Sequence, residues 1–428
     1  MTISRRDFII GGSSAVILGL IGLRSALAGN ILGDVPLLRG ESPYLALPKR
    51  FSYQVISKLG DKMADGLVVP GKPDSMAAFR MAGGLTAIVR NHEIEAAWTD
   101  QSPFSAGGKK TAGYDASCIG GCSTIIYDTK TQKLVRQFLS LSGTERNCSG
   151  GATPWGTWIS SEESTKSYEK THGYNFEVKP SLQPQLSDPL PLKAMGRFNH
   201  ESVSFDPATG IAYQTEDRGD GLFYRFIPTV RGNLSMGGKL QALMIRNLAS
   251  YDTRNWDEER ITQGERMPCQ WVDLYDVESP KDDLRLQGFA AGAARFARGE
   301  GTCYANGSIY FTATNGGIKK QGQVWKYTPN KNDGTLELFV DANDPEVMKS
   351  PDNLCLGPRG DLFICEDSKK SNRILRVNAK GEVSVFAENI FNESELTGVC
   401  FSPDGSTMFV NIQHNPGMTF AITGPWLA

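Results

Sequence analysis

The sequence predicts an all-β fold, a β-propeller of six blades, on three observations. A short strand-turn-strand theme recurs about every 50 residues, helical periodicity is scarce, and 46 glycines with 22 prolines punctuate the whole chain. The theme is an apolar strand, a Pro/Gly/Asp turn, a second apolar strand and a polar or acidic end. It runs through Ser202–Pro207 with Gly210–Asp217, through Leu354–Asp367 around Gly357-Pro358-Arg359-Gly360, and through Val399–Gly405 into Met408–Ile412, with Thr153–Glu163 as a looser copy. Successive copies end near Glu163, Asp217, Asp367 and Gln413, one or two repeat steps apart. Between them lie Gly221–Phe226, Gln323–Tyr327 and Arg373–Val377, which alternate apolar with basic or polar residues as the next strand of a four-stranded blade should. The stretch from about Arg231 to Leu286 is read as an insert of loops or extra strands. A pair of β-sandwich domains is the structural alternative.

At the N-terminus, Ser4-Arg5-Arg6-Asp7-Phe8-Ile9 precedes an apolar run to Leu23 and the small-residue end Ala26-Leu27-Ala28. This reads as a twin-arginine export signal over residues 1–28. Its apolar run of about 15 residues is short of the roughly 20 that span a bilayer. Residues 29–428 are then one mature propeller domain without a membrane span, periplasmic or secreted, monomeric, with the export machinery as a partner. The twin-arginine route carries folded proteins, often with their cofactors, and so hints at a bound group. A net charge of −2 without any block of like charge argues against nucleic acid. The eight cysteines are scattered. Cys118 and Cys122, flanking Ile119-Gly120-Gly121, are the best candidates for a local disulfide, and a zinc site from that pair is disfavoured because no second Cys or His pair follows at ribbon spacing.

The propeller gives the acids a meaning. If equivalent strand ends share a face, Glu162-Glu163, Glu216-Asp217 and Glu366-Asp367 converge on the central channel, where they would raise one another's pKa unless cations filled the site. Calcium suits such an irregular oxygen cage. The bland alternative is that each pair ends its blade in solvent. In Asn147–Glu163, Cys148 offers a thiolate at a turn that Gly150 and Gly151 permit, or else is a small packing residue. His92 and His200 read as hydrogen-bonded core residues, and the Glu93 and Glu201 that follow them as metal ligands or charge partners. Arg298 and Glu300 share one face of an extended segment, where a planar guanidinium beside a metal-bound carboxylate could hold a phosphate or sulfate oxyanion; a structural Arg–Glu pair is the alternative. Asp352-Asn353 and Glu395–Gly398 offer further oxygen ligands, the former equally a turn-forming pair. Neither a Gly-x-Ser-x-Gly elbow, a P-loop nor a Rossmann fingerprint after a strand is present, which leaves a metal-assisted site.

The chain resembles the bacterial PhoX-type alkaline phosphatases. The resemblance rests on the twin-arginine start, Asn91-His92-Glu93, Asn147–Gly151 through Trp155-Gly156-Thr157-Trp158, and Gly196–Glu201, and continues in Thr215-Glu216-Asp217, Arg298–Gly301, Asp352-Asn353, Glu366-Asp367, Glu395–Gly398 and Phe409–Gln413. It implies a secreted phosphomonoesterase that uses a ferric iron pair (Fe3+) with calcium ions (Ca2+). Cys148 and Glu201 then become iron ligands, Glu300 a metal ligand, and Arg298 the catalytic, substrate-binding contact to phosphate. The acids Glu162, Glu163, Glu216, Asp217, Asp352, Glu366, Asp367 and Glu395 become further metal ligands. The expected reaction is in-line attack on a phosphate monoester held by the metals and Arg298. Two rivals use the same acidic floor, a calcium-dependent propeller hydrolase of lactones or other esters and a non-catalytic exported binding module.

Overall fold

A computed structural model describes residues 36–39, 43–110, 113–331 and 333–427, so the expected export signal lies outside the described residues. The chain enters through β1 (Leu37–Leu38), β2 (Leu45–Pro48) and β3 (Ser52–Lys58). A first group follows as β4 (Pro73–Arg80), β5 (Thr86–His92), β6 (Gly120–Asp128) and β7 (Lys133–Thr144), and a second as β8 (Asn147–Ala152), β9 (Trp158–Glu162) and β10 (Asn175–Val178). The third holds β11 (His200–Phe205), β12 (Ala212–Glu216), β13 (Gly221–Val230), β14 (Asn233–Ile245), β15 (Arg266–Asp273), a short helix Leu284–Ala290 and β16 (Arg295–Phe296). The fourth is β17 (Gly299–Ala305), β18 (Ser308–Ala313), β19 (Gln323–Asn330) and β20 (Asp333–Asp341). The last two are β21 (Pro351–Leu356), β22 (Leu362–Glu366), β23 (Arg373–Val377), β24 (Val383–Asn389), and then β25 (Leu396–Phe401), β26 (Thr407–Ile412) and β27 (Met418–Thr423).

The fold is all-β and propeller-like. Hydrogen bonding divides the strands into five sheets, where six separate blades were expected, because β15 pairs with both β14 and β20 and fuses the third and fourth groups into ten strands. The opening strands β4, β8, β11, β17, β21 and β25 pack neighbour against neighbour in a closed cycle. β3, from near the start of the chain, pairs with β27 near its end and completes the last sheet. Strands such as β22 and β26 are near-continuous apolar runs with every residue buried, as strands covered on both faces must be.

Aromatic rings fill the space between sheets; Phe223 stacks on Phe311 at 4.2 Å, with Trp325 and Tyr327 fully buried beside them. Burying each such side chain contributes about 1.5–3 kcal/mol. At the axis the chain needs small residues instead, since a Cβ on Gly151 would lie 1.6 Å from the Val203 carbonyl oxygen of the next opening strand. All eight cysteines are free, so the expected Cys118–Cys122 bridge does not form. Gly120 and Gly121 run extended into β6 rather than turning, and Cys122 donates to Asn91 Oδ1 at 3.1 Å. No helix among the described residues is long and apolar enough to cross a membrane.

Candidate active site

Five of the six opening strands carry a β-bulge at their second and third residues. Asp74-Ser75 oppose the single residue Asn91, Cys148-Ser149 oppose Ser161, Glu201-Ser202 oppose Thr215, Glu300-Gly301 oppose Thr312, and Asp352-Asn353 oppose Cys365. A bulge takes its extra residue out of the ladder and re-aims the side chain, here once per strand at the same end of the ring. In the sixth, β25, the bulge falls on Gly398-Val399 and offers no donor; a Cβ on Gly398 would meet the Asp74 carbonyl oxygen at 2.5 Å. Donor atoms of Asp74, Glu93 and Cys148 lie within 4.8 Å of one another, as do those of Cys148, Glu163 and Glu201, and those of Glu201, Glu300 and Asp352. Cys148 and Glu201 each belong to two trios, so the three form one continuous cluster.

A second tier comes from the strands paired with these. β5, β9, β12 and β22 end at His92, Glu162, Glu216 and Glu366, each paired with the first residue of an opening strand. Because successive side chains alternate in direction, the last strand residue turns into its own sheet and the next one, Glu93, Glu163, Asp217 or Asp367, faces the axis. The expectation that both members of each acidic pair converge is therefore corrected for Glu162, Glu216 and Glu366. Glu162 accepts from the backbone N–H groups of Glu145, Gly173 and Tyr174 and meets His172 Nδ1 at 2.6 Å. Glu216 accepts from Tyr224 Oη at 2.6 Å, and burial pushes its pKa up to about 7. Glu366 takes both Nε and Nη2 of Arg373, at 2.6 and 2.7 Å. His92 and His200 are fully buried and hydrogen-bonded, to Gly71 O and Ser123 Oγ and to Gly196 O.

Three cations sit two residues ahead of the bulge donors in the left-handed region: Lys72 (φ 46°), Arg146 (φ 45°) and Arg298 (φ 51°). Such a backbone is costly for side chains of this size and concentrates at functional sites. Arg298 is forked onto Asp217, Nε and Nη2 each 2.7 Å from a carboxylate oxygen, and reaches Glu300 Oε1 at 3.0 Å; Nη1 donates to no described residue. Arg146 bridges Glu93 at 2.6 Å and Glu163 at 2.7 Å. Lys72 donates to Gln413, whose amide in turn donates to Asp74 and Glu93.

These cations do not neutralise the cluster. Burial, then the charge of Glu93, raises Asp74 to about 8. Glu201 is held well above the carboxylate range by burial and then by Glu300 and Glu163, and Glu300 and Glu163 likewise by burial and then Asp217. Asp352 is raised by burial and then by Glu395, and Cys148 by burial and then by Asp74. Asp367 is exposed at the rim. Glu201 is fully buried with both carboxylate oxygens lacking any hydrogen-bond partner. An unpartnered buried carboxylate amid like charge is costly, and a cation is the ligand that removes the cost. The donor set, one thiolate with carboxylates, fits transition-metal and hard-cation sites side by side.

Sequence reasoning missed Asp74, Lys72, Arg146 and Gln413 as site residues. One signal was present: Pro73-Asp74-Ser75 opens β4 much as Pro351-Asp352-Asn353 opens β21.

Residues 32–417 match the family model described as alkaline phosphatase PhoX. Among solved structures, Pseudomonas fluorescens PhoX in complex with vanadate, a transition state analogue, superposes with a TM-score of 0.70 at 20% identity, covering 91% of this chain and 97% of that one. A gluconolactonase from Xanthomonas campestris (TM-score 0.43, 11% identity, 91% and 100% covered) and a Staphylococcus aureus virginiamycin B lyase (0.41, 13%, 87% and 99%) are more distant. No curated protein matches the sequence.

Proposed function

The chain belongs to the PhoX alkaline phosphatase family and hydrolyses phosphate monoesters; from that premise we propose that the reaction takes place at the axial acid cluster and that the cluster holds a ferric iron pair with calcium. The lactonase and binding-module readings fall with the family assignment. The observation that carries the proposal is Glu201, fully buried, without a hydrogen-bond partner and shared by two donor trios. In our reading the two trios that include the Cys148 thiolate hold iron, the softer ion, and the all-oxygen trio Glu201, Glu300 and Asp352 holds calcium, with Asp217, Asp367 and Glu395, whose charges bear on the cluster, as outer carboxylates. When bound, the ions polarise the phosphoryl oxygens and stabilise the leaving oxygen.

The protein's own part is charge placement. Asp217 and Glu300 hold the Arg298 guanidinium by Nε and Nη2, which leaves the Nη1 edge for an incoming phosphate oxygen. Lys72, through Gln413, offers a second positive group beside Asp74. We count the six opening strands as six blades, the fused pair being two blades bridged by β15. Residues 1–28 we assign to twin-arginine export, placing a monomeric mature enzyme in the periplasm or outside the cell.

Protein purified after export should contain iron and calcium and hydrolyse p-nitrophenyl phosphate. Cys148→Ala should lose iron together with any visible charge-transfer colour. A coloured, active variant would return the thiol to packing.

A further inference from the structure

A second donor cluster shares no residue with the axial trios. Asp115 and Cys118 precede β6, and His172 precedes β10; their donor atoms lie within 4.8 Å of one another and all three side chains are buried. The two nitrogens of the His172 ring behave differently. Nδ1 lies 2.6 Å from Glu162 Oε1, a short charge-assisted hydrogen bond, whereas Nε2 lies 3.4 Å from Asp115 Oδ2 and 3.5 Å from Cys118 Sγ. A charge-assisted bond draws its partners to about 2.7–2.9 Å. Two ligands on one tetrahedral zinc, with bonds of about 2.0–2.3 Å, stand about 3.3 Å apart for nitrogen and oxygen and about 3.6 Å apart for nitrogen and sulfur. The observed separations are edges of such a tetrahedron.

We propose that Cys118 Sγ, His172 Nε2 and Asp115 Oδ2 form a structural zinc site, with Glu162 orienting the histidine from its other nitrogen. A carboxylate on the far nitrogen of a metal-bound histidine fixes the tautomer that leaves the metal-facing nitrogen bare. Glu162 is itself held by the N–H groups of Gly173 and Tyr174, and Asp115 Oδ2 by the Lys170 N–H at 2.6 Å, so the donors are pre-set. Binding releases two protons to solvent, one from the Cys118 thiol and one from His172 Nε2, which faces Asp115 in the metal-free chain; the proton on Nδ1 stays in its bond to Glu162. A water completes the fourth position, the oxygens of nearby Glu145 being taken by Tyr168 Oη and the Ala96 N–H. The site is a structural one, because Cys118 is 0% exposed and no substrate can reach it. Glu162 thus serves this site while its neighbour Glu163 serves the axis.

The test is metal analysis of the full chain purified from zinc-supplemented cells. Wild type should carry about one zinc per chain, and Cys118→Ser should lose at least nine-tenths of it with iron content unchanged. Wild type without zinc, or a folded Cys118→Ser that keeps it, overturns the site. Should Cys118→Ser fail to fold, Cys148→Ser is chelator-treated and titrated with cobalt. A thiolate-to-cobalt charge-transfer band, with tetrahedral visible bands, supports Cys118 as ligand, and absence of both overturns it.

Discussion

Glu162 and Glu163 are chain neighbours, both buried and both acidic, yet they live in opposite environments. Glu162 is surrounded by donors, three backbone N–H groups and a histidine. Glu163 shares Arg146 with Glu93 and stands in the field of Asp217, which with burial raises its pKa. The difference teaches that burial of a carboxylate does not by itself mark a metal site. What marks it is burial without enough donors. The other two pairs share the direction of this contrast but not its chemistry: Glu216 turns into its sheet yet keeps Oε1 without a hydrogen-bond partner, Asp217 is held by Arg298, and Asp367 is exposed.

The comparison breaks if the two residues respond alike. Glu163→Gln should lower phosphatase turnover roughly a hundredfold or more, the upper scale already reached by losing an outer-sphere partner of a metal, while leaving the melting temperature of metal-free protein unchanged or higher. Arg298→Ala should cut kcat/KM for p-nitrophenyl phosphate by about a hundredfold with bound iron unchanged, and Arg298→Lys should recover only part, because an ammonium lacks the fork that Asp217 holds. Full activity in the alanine variant would remove Arg298 from substrate binding. Glu162→Gln should do the reverse of Glu163→Gln, costing about 3–5 kcal/mol of stability by leaving His172 without its charge partner, with turnover per folded molecule within about twofold. Denaturant unfolding beside single-point assays separates these outcomes.

The smallest effect sharpens the comparison through pH. Asp74 is raised to about 8 in the folded chain, so without metal the folded state binds a proton that the unfolded state has released above about pH 4. Metal-free protein should therefore lose stability progressively as pH rises from about 4 to about 8, and added iron and calcium should flatten that slope. A metal-free melting temperature that rises over this interval would contradict the assignment of the axial acids.

Much of this was legible in the chain. The acidic pairs at strand ends were visible at their repeat spacing, but the expectation that both members of each reach the axis overlooked strand alternation, which sends one of each away. Which member faced the axis was not visible, because that depends on where each strand stops pairing. The bulge donors were harder. Cys148, Glu201 and Glu300 stood out locally but each had a bland alternative that only the family resemblance weighed against, and Asp352 stood out through its turn, but Asp74 sits in a short Pro-Asp-Ser segment whose meaning depends on the register of β4 against β5. Lys72 and Arg146 were invisible for a related reason: their role follows from a left-handed backbone just ahead of an opening strand, and neither is a residue type that announces one. The fusion of two sheets by β15 likewise rests on long-range pairing of Arg266–Cys269 with Gly334–Glu337.

The pairing of β3 with β27 sets an order of events during synthesis. The ring closes only when residues near position 420 meet residues near position 55, and the donors at its mouth are spread from Asp74 to Glu395. A nascent chain still on the ribosome holds a few carboxylates on separate, unclosed blades, and contacts between such distant segments are slow to form. On the proposed assignment the full set of axial donors, from Asp74 to Glu395, stands together only after β27 has paired with β3, so occupancy of the whole cluster would report closure of the strand ring.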